Sequence, residues 1–182
     1  MALPPAAPRT LSHTREVRYE GYRRDDGLWD IEAWLRDTKP HAFGVPGERD
    51  WAPNEPIHDM QIRLTVDDDF VVRAVAVAMN HIPHEDCPKA QPPMQQLVGC
   101  RLGRGWRRAV NEHLGGIAGC AHLRELLVNM ATAAFQTMHA VATGPSDQPP
   151  LHLGQCVTWD FNAPLVERRY PMFFRRQLPA RS

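Results

Sequence analysis

Two neighbouring segments near the start of the chain alternate apolar and polar residues around a turn signal. The first segment, 17–22, is followed by Asp25-Asp26-Gly27, a composition typical of a tight turn. The second segment, Leu28–Asp37, carries Trp29 and Ile31 with the same parity, whereas Trp34 falls out of step and predicts a bulge or twist. The pattern predicts an antiparallel β-hairpin.

A second hairpin is predicted by the alternation in His58–Val66, by the turn Asp67–Asp69, and by the apolar run Phe70–Met79. The run Phe70–Met79 is apolar on both faces, which is typical of a central strand covered by helices. Residues 40–56 are rich in Pro and Gly and predict a long irregular loop, a kind of segment that is often functional.

The periodicity becomes helical after position 90. Short helices are expected at 91–98 and 105–114, and a long helix at 121–142, where leucines and methionines recur at helical spacing. Short extended pieces are expected at 155–161 and 170–174. The predicted fold is α+β: an antiparallel sheet of two hairpins followed by helices packed on one face, in two layers. We expect a disordered tail at 1–12 and one domain at 13–182.

Composition narrows the function classes. The chain has 182 residues, with 21 basic and 21 acidic side chains and a net charge of zero, which argues against nucleic-acid binding. No apolar run approaches a membrane helix, and the N-terminus is a poor secretory signal, so we expect a cytoplasmic protein. In that compartment the four cysteines are packing thiols, metal ligands or nucleophiles.

Cys120 and His122 form the first candidate site. Cys120 stands at the predicted start of the long helix, where unpaired backbone N–H groups favour a thiolate. His122 converges with it only if Cys120 precedes the first helical turn. The alternative is a small buried Cys beside a surface or capping His.

Further candidates are the polar loop 81–88, which contains Cys87, and the pair His58-Asp59. His58 shares parity with the buried face of its strand, whereas Asp59 belongs to the other face. Arg24 and its neighbouring aspartates could bind an anionic substrate, or could simply stabilise the turn.

These motifs together resemble an uncharacterised bacterial domain-of-unknown-function family. The resemblance is carried in order, over about residues 14–175, by Arg23-Arg24-Asp25-Asp26-Gly27-Leu28-Trp29-Asp30, Asp37-Thr38-Lys39, Pro56-Ile57-His58-Asp59-Met60, Pro83 with Cys87, and Gly119-Cys120-Ala121-His122-Leu123. The family usually has Thr at position 121 and an acidic residue at position 80, where this chain has Asn80. Its members are often encoded near genes for aromatic, steroid or terpenoid breakdown, which implies a catabolic role.

A more distant likeness is to the U-type iron–sulfur scaffold fold. It implies a site at Cys87, Cys120 and His122, with His58 or Asp26 in place of the scaffold's first ligand. In the scaffold the His and Cys are adjacent, whereas here Ala121 separates them and their order is reversed.

The expected function is a non-redox lyase, isomerase or hydrolase acting on an aromatic or terpenoid-like small molecule. The predicted catalytic residues are His58, Asp59 and His122 for acid–base steps and Arg24, or its neighbour Arg23, for binding a substrate carboxylate or phenolate. One zinc or iron ion is a further option, with ligands from His58, Cys87, Cys120 and His122. The alternatives are a metal or iron–sulfur carrier, and a structural or regulatory binding protein. A homodimer is compatible with each of them.

Overall fold

The computed structural model describes residues 2–138, 148–150 and 152–175. The chain divides into two compact units, Met1–Thr137 and Met138–Ser182. Residues 2–12 carry no regular secondary structure. The prediction of one domain over 13–182 stays a prediction.

The first unit is built on a four-stranded antiparallel sheet, which with its helices confirms the predicted α+β class. The strand order is β1-β2-β5-β6, and β3 and β4 form a separate hairpin. The strands and helices are β1 (Thr14–Arg23), β2 (Trp29–Thr38), β3 (Phe43–Val45), β4 (Arg49–Trp51), β5 (His58–Val66), β6 (Val72–His81), α1 (Trp106–Leu114), α2 (Ala121–Met138) and, in the second unit, α3 (Pro164–Arg169).

The turn between β1 and β2 forms for the expected reason. Gly27 has a φ of 86°, in the left-handed region that glycine adopts without steric cost. The Asp26 carboxylate accepts a hydrogen bond from the Leu28 backbone N–H and another from the Arg24 guanidinium. This local bonding sets the hairpin register, which runs without interruption from Arg23↔Trp29 to Thr14↔Thr38.

β2 alternates regularly, so the predicted irregularity at Trp34 is wrong. Trp29, Ile31, Ala33 and Leu35 are buried on one face, and Trp34 belongs to the other face. The pairings with β1 and β5 both run straight through Trp34. An indole tolerates this partly exposed position because Arg18 lies over its ring, 5.4 Å from the centroid.

β6 is an edge strand, which corrects the expectation that it would be central. It pairs with β5 on one side, and after it the chain continues into 3-10 helices (Cys87–Ala90 and Pro92–Leu97) rather than a further strand. Its alanines are mostly exposed, and only Val72 and Val75 are buried. The sequence of β6 is apolar because it contains several alanines, and only one face of the strand is buried.

The predicted irregular loop 40–56 contains regular structure, so that prediction is wrong in part. β3 and β4 pair across a short turn, and Phe43 stacks on Trp51 with ring centroids 4.8 Å apart. The segment after β4 is held beside the end of β2 by two backbone hydrogen bonds. The Asn54 N–H donates to the Lys39 carbonyl oxygen, and the Ile57 N–H donates to the Asp37 carbonyl oxygen. Residues 40–56 therefore leave the end of β2 and return beside it.

Helix α2 packs on the buried face of the sheet. Leu123, Leu126, Leu127, Met130 and Ala134 form the expected buried stripe. A Cβ on Gly21 of β1 would lie 1.9 Å from Thr137 Oγ1, so glycine permits the close approach of strand and helix. Positions 139–142 of the predicted helix lie outside the described residues.

The second unit corrects the expectation of extended pieces. Its described part contains 3-10 helices at Val157–Trp159 and Pro171–Phe173, together with α3. Pro164 and Pro171 begin two of these helices, where a missing backbone N–H costs nothing.

Candidate functional site

A row of three polar residues crosses the sheet on its helix-facing side. In the strand register Arg15 of β1 pairs with Asp37 of β2, and Asp37 pairs with His58 of β5. Directly opposed residues on antiparallel strands project from the same face, so these side chains meet. The row lies one step beyond the apolar pairs that fill the core, at the end of the sheet where β2 ends and β5 begins.

Asp37 is the centre of this row and is 2 % exposed. Arg15 approaches it with two nitrogens, Nε 2.8 Å from Oδ1 and Nη2 2.9 Å from Oδ2. His58 Nδ1 lies 2.9 Å from Oδ2, and His13 Nε2 lies 3.0 Å from Oδ1. A buried carboxylate is tolerated because both of its oxygens are bonded to cationic or N–H donors.

His122 reaches the same place from the first turn of α2. Its ring centroid lies 4.0 Å from that of His58, with the two rings tilted by 40°. One ligand atom each of Asp37, His58 and His122 falls within 4.8 Å of the others. The helix therefore closes the polar row from above the sheet.

Cys120 immediately precedes α2. Its carbonyl oxygen accepts the first helical bond, from the Arg124 N–H at 3.0 Å. Its Sγ lies 3.7 Å from His122 Nδ1. The condition for convergence of Cys120 and His122 is thus met, because the cysteine caps the helix rather than lying within it.

The electrostatics of the cluster follow from these contacts. Burial raises the pKa of Asp37, but the Arg15 guanidinium and His58 outweigh it and hold that pKa below its usual value. Burial and the proximity of His122 lower the pKa of His58 against the opposing effect of Asp37. For Cys120, burial raises the pKa, but the bonds from His122 and the backbone N–H groups bring it below its usual value.

The structure brings together His58, Cys120 and His122 among the predicted site residues, and separates two others from them. Arg24 directly follows β1, whose last residue pairs with Trp29. Trp29 is eight strand residues from Asp37, which corresponds to roughly 27 Å along the sheet. There its guanidinium forms ion pairs with Asp26 and Asp30, so Arg24 stabilises the turn, the second of the two roles considered for it. Asp59 lies on the open face, where its Oδ1 accepts bonds from Trp34 Nε1 and Asn80 Nδ2, each at 3.2 Å.

Among the described residues, the side chains that could together hold a metal ion are Asp37, His58 and His122. None of them comes from the polar loop after β6. Cys87 begins a 3-10 helix and is half-buried. His84 forms an exposed ion pair with Glu48, between β3 and β4.

The open face of the sheet holds a separate groove of about 320 Å³. Its lining includes Arg18, Glu32, Trp34 and Arg63, all on the face opposite Asp37 and His58. This groove is therefore distinct from the histidine cluster.

From the sequence alone, Asp37 had a place in a family motif but no role in the site, and nothing pointed to Arg15. Asp37 stands among polar neighbours at the end of its strand, and nothing in its local pattern marks it as buried. The available signal was the register: extending the alternation of Trp29 and Ile31 places position 37 on the buried face, where a lone carboxylate requires partners.

The cluster has the groups for two kinds of chemistry. Asp37 fixes His58 through Nδ1, which leaves Nε2 as the nitrogen available for proton transfer. Two imidazoles beside a carboxylate also match the ligands that zinc and iron accept.

Comparison with known proteins assigns the chain to a family without assigning a function. Residues 13–136 match the family model described as "Protein of unknown function (DUF2889)". The chain belongs to this family, and the match spans the four-stranded sheet, Cys120 and most of α2. No curated protein and no solved structure matches the chain. Among the described residues, no helix has the length and apolar character of a bilayer-spanning segment.

Proposed function

We propose that this protein is a small-molecule enzyme that carries out a non-redox reaction of the lyase, isomerase or hydrolase type. The observation that carries the proposal is the buried hydrogen bond between His58 Nδ1 and Asp37 Oδ2. A carboxylate that holds one imidazole nitrogen sets the tautomer of the ring and directs the other nitrogen toward a substrate.

A structural role alone explains this arrangement less well. Arg15 already satisfies both oxygens of Asp37, so the carboxylate needs no histidine for its own stability. Two histidines also stand with their ring centroids 4.0 Å apart, and the proximity of His122 disfavours the protonated form of His58. Such an arrangement costs stability, and it places two imidazoles where one can take a proton and the other can give one.

The second candidate function is a metal carrier or a metal-assisted enzyme, which the spacing of Asp37, His58 and His122 favours. Asp37 is a poor direct ligand because Arg15, His13 and His58 occupy both of its oxygens. The two histidines would therefore hold the ion, with Asp37 orienting His58 behind it. Nitrogen ligands suit zinc or iron ions, whereas an iron–sulfur cluster prefers several thiolates.

Aromatic or terpenoid-like acids are the substrates to test, as the family resemblance implies, and the hydrolase branch of the proposal adds their esters and lactones. We expect wild-type protein to turn over at least one of these compounds, and His58→Gln to lose about a hundredfold of that rate. The matched control is His113→Gln, which removes an imidazole from α1, where His113 faces Gln96. Equal rates in wild-type protein and His58→Gln would overturn the acid–base proposal.

Elemental analysis of untagged protein separates the two candidates. About one equivalent of zinc or iron, lost in both His58→Gln and His122→Gln but kept in His113→Gln, supports the metal candidate. Metal-free protein that retains turnover supports the acid–base proposal.

A further inference from the structure

The cysteine at the start of α2 stands beside an imidazole. Its Sγ lies 3.7 Å from His122 Nδ1, within reach of an S–H···N hydrogen bond. A sulfur held in this way has a fixed position and an adjacent group that can take its proton.

A second oriented imidazole lies behind the first. The His122 ring contacts the His58 ring, and Asp37 holds His58 at Nδ1. The order is a sulfur, a base beside it, and a second base that is itself held by a buried carboxylate. A nucleophile beside a base is the pair that recurs in covalent acyl-transfer sites, where a third group usually orients that base. In this site the carboxylate orients the second imidazole, His58, instead.

We infer that Cys120 is a covalent nucleophile and that the substrate class is an activated acyl compound, an ester or a thioester. This inference rests on the proposed function and selects its hydrolase branch. Esters and thioesters are the acyl compounds to test, because an alkoxide or thiolate is a weaker base than an amide nitrogen anion and departs more readily.

The reaction proceeds in two balanced steps. In the first, the Cys120 thiol gives its proton to His122, Sγ bonds to the acyl carbon, and the ester or thioester bond breaks. The leaving group takes the proton from His122 and departs as an alcohol or thiol. In the second, His58 Nε2 takes a proton from water, the resulting hydroxide bonds to the acyl carbon, and the C–S bond breaks. The carboxylic acid leaves, and the proton on His58 returns to the sulfur through His122, whose ring contacts that of His58 and whose Nδ1 lies 3.7 Å from Sγ.

The other three cysteines provide internal controls. Cys87 and Cys100 are half-buried and Cys156 is exposed. Cys100 Sγ faces the Gln96 carbonyl oxygen at 3.9 Å, and an acceptor of that kind does not assist loss of the thiol proton in the way an imidazole does. If exposure alone governs the rate of acylation, Cys156 therefore reacts fastest. If the neighbouring imidazole governs it, Cys120 reacts fastest.

The experiment treats the full chain with p-nitrophenyl acetate and locates acetyl groups by mass spectrometry of the intact protein and its peptides. We expect one acetyl group on Cys120, formed at least about tenfold faster than on Cys156. In His58→Gln the adduct should accumulate, because this variant lacks the base for the second step. In His122→Gln the adduct should form about a hundredfold more slowly.

Cys120→Ser retains a side chain that can cap α2, so loss of the adduct in that variant is not a folding effect. Acetylation that follows exposure, with Cys156 ahead of Cys120, overturns the inference. So does ester turnover that survives in Cys120→Ser. These results leave the proposed function intact if His58→Gln still abolishes turnover, whereas turnover that is indifferent to His58→Gln overturns the proposed function itself.

Discussion

His58 and Asp37 occupy opposed positions in the register of β5 and β2, and His58 Nδ1 lies 2.9 Å from Asp37 Oδ2. The two strands leave 20 residues between these positions, including the β3–β4 hairpin. The pair is therefore created by strand pairing rather than by proximity in the sequence. The buried Asp37 fixes the ring orientation of a histidine that the β5 pattern alone would place against the core.

Replacing this carboxylate tests its role in orientation. Asp37→Asn keeps the size of the side chain but removes the charge and places an amide before His58. We expect turnover of any accepted substrate to fall by about a hundredfold or more. Steady-state kinetics against Asp59→Asn, which changes a carboxylate on the opposite face, provide the comparison. Equal losses in the two variants would contradict a specific role for Asp37.

Arg15 is expected to stabilise the fold through the same carboxylate. Arg15→Leu removes two bonds to Asp37 and leaves a buried charge with weaker partners, so the free energy of unfolding should fall by about 2–3 kcal/mol. Arg18→Leu, on the open face of the same strand, should cost about 0.5 kcal/mol or less. Urea unfolding measures both values. A loss for Arg15→Leu no larger than that for Arg18→Leu would argue against the buried pairing.

Stability should fall on acidification in two ranges. The pKa of His58 is below its ordinary value of 6.5, so as the pH falls below about 6.5 the unfolded chain binds a proton that the folded chain does not. The pKa of Asp37 is likewise lowered, so a second loss begins near pH 3.9 and continues to more acidic pH. Both effects destabilise the fold as the pH falls.

Urea unfolding between pH 5 and 8 covers the titration of histidine and lies above that of Asp37, and comparison with His58→Gln separates the contribution of His58 from those of the other histidines. His58→Gln cannot titrate and should show a flatter dependence than wild-type protein. Identical slopes for the two proteins would show that His58 has an ordinary pKa.

Much of the fold was predictable because its elements carry strong local patterns. β5 alternates over its whole length, and α2 shows helical periodicity from Leu123 onward. The position of β6 was not predictable in the same way. An apolar run rich in alanine fits an edge strand as well as a central one, because alanine loses little when it is exposed.

The candidate site was predictable only in part. His58 and His122 were found by residue type and by their positions at element ends. Asp37 was missed because its significance depends on which strands pair and in what register, and a single strand shows neither. Arg24, by contrast, was predicted as a site residue from its local motif. In the structure its guanidinium forms ion pairs with the neighbouring Asp26 and Asp30, so it is not part of the site.

The close approach of β1 and α2 yields a packing prediction. Gly21→Ala places a methyl group against Thr137, whose hydroxyl is fixed by a bond to the Ala133 carbonyl oxygen. We expect a loss of about 1–3 kcal/mol in the free energy of unfolding, since an overpacked interface must shift. Thr137→Gly on its own should also destabilise, by about 1 kcal/mol, because it places glycine in a helix.

The double variant Gly21→Ala/Thr137→Gly tests whether the two changes compensate. It should be more stable than the sum of the two single losses implies, because the clash is absent. Strict additivity would show that the strand and helix do not approach each other so closely.

The most direct test of the central claim is the protonation state of the His58 ring. A long-range proton–nitrogen NMR spectrum of the full chain, with His58 assigned by comparison with His58→Gln, reports which nitrogen carries the proton. The Asp37–His58 pair predicts a neutral ring at pH 7.5 with its proton on Nδ1 and with Nε2 free. A proton on Nε2 alone, or a ring that remains charged at that pH, would contradict the account.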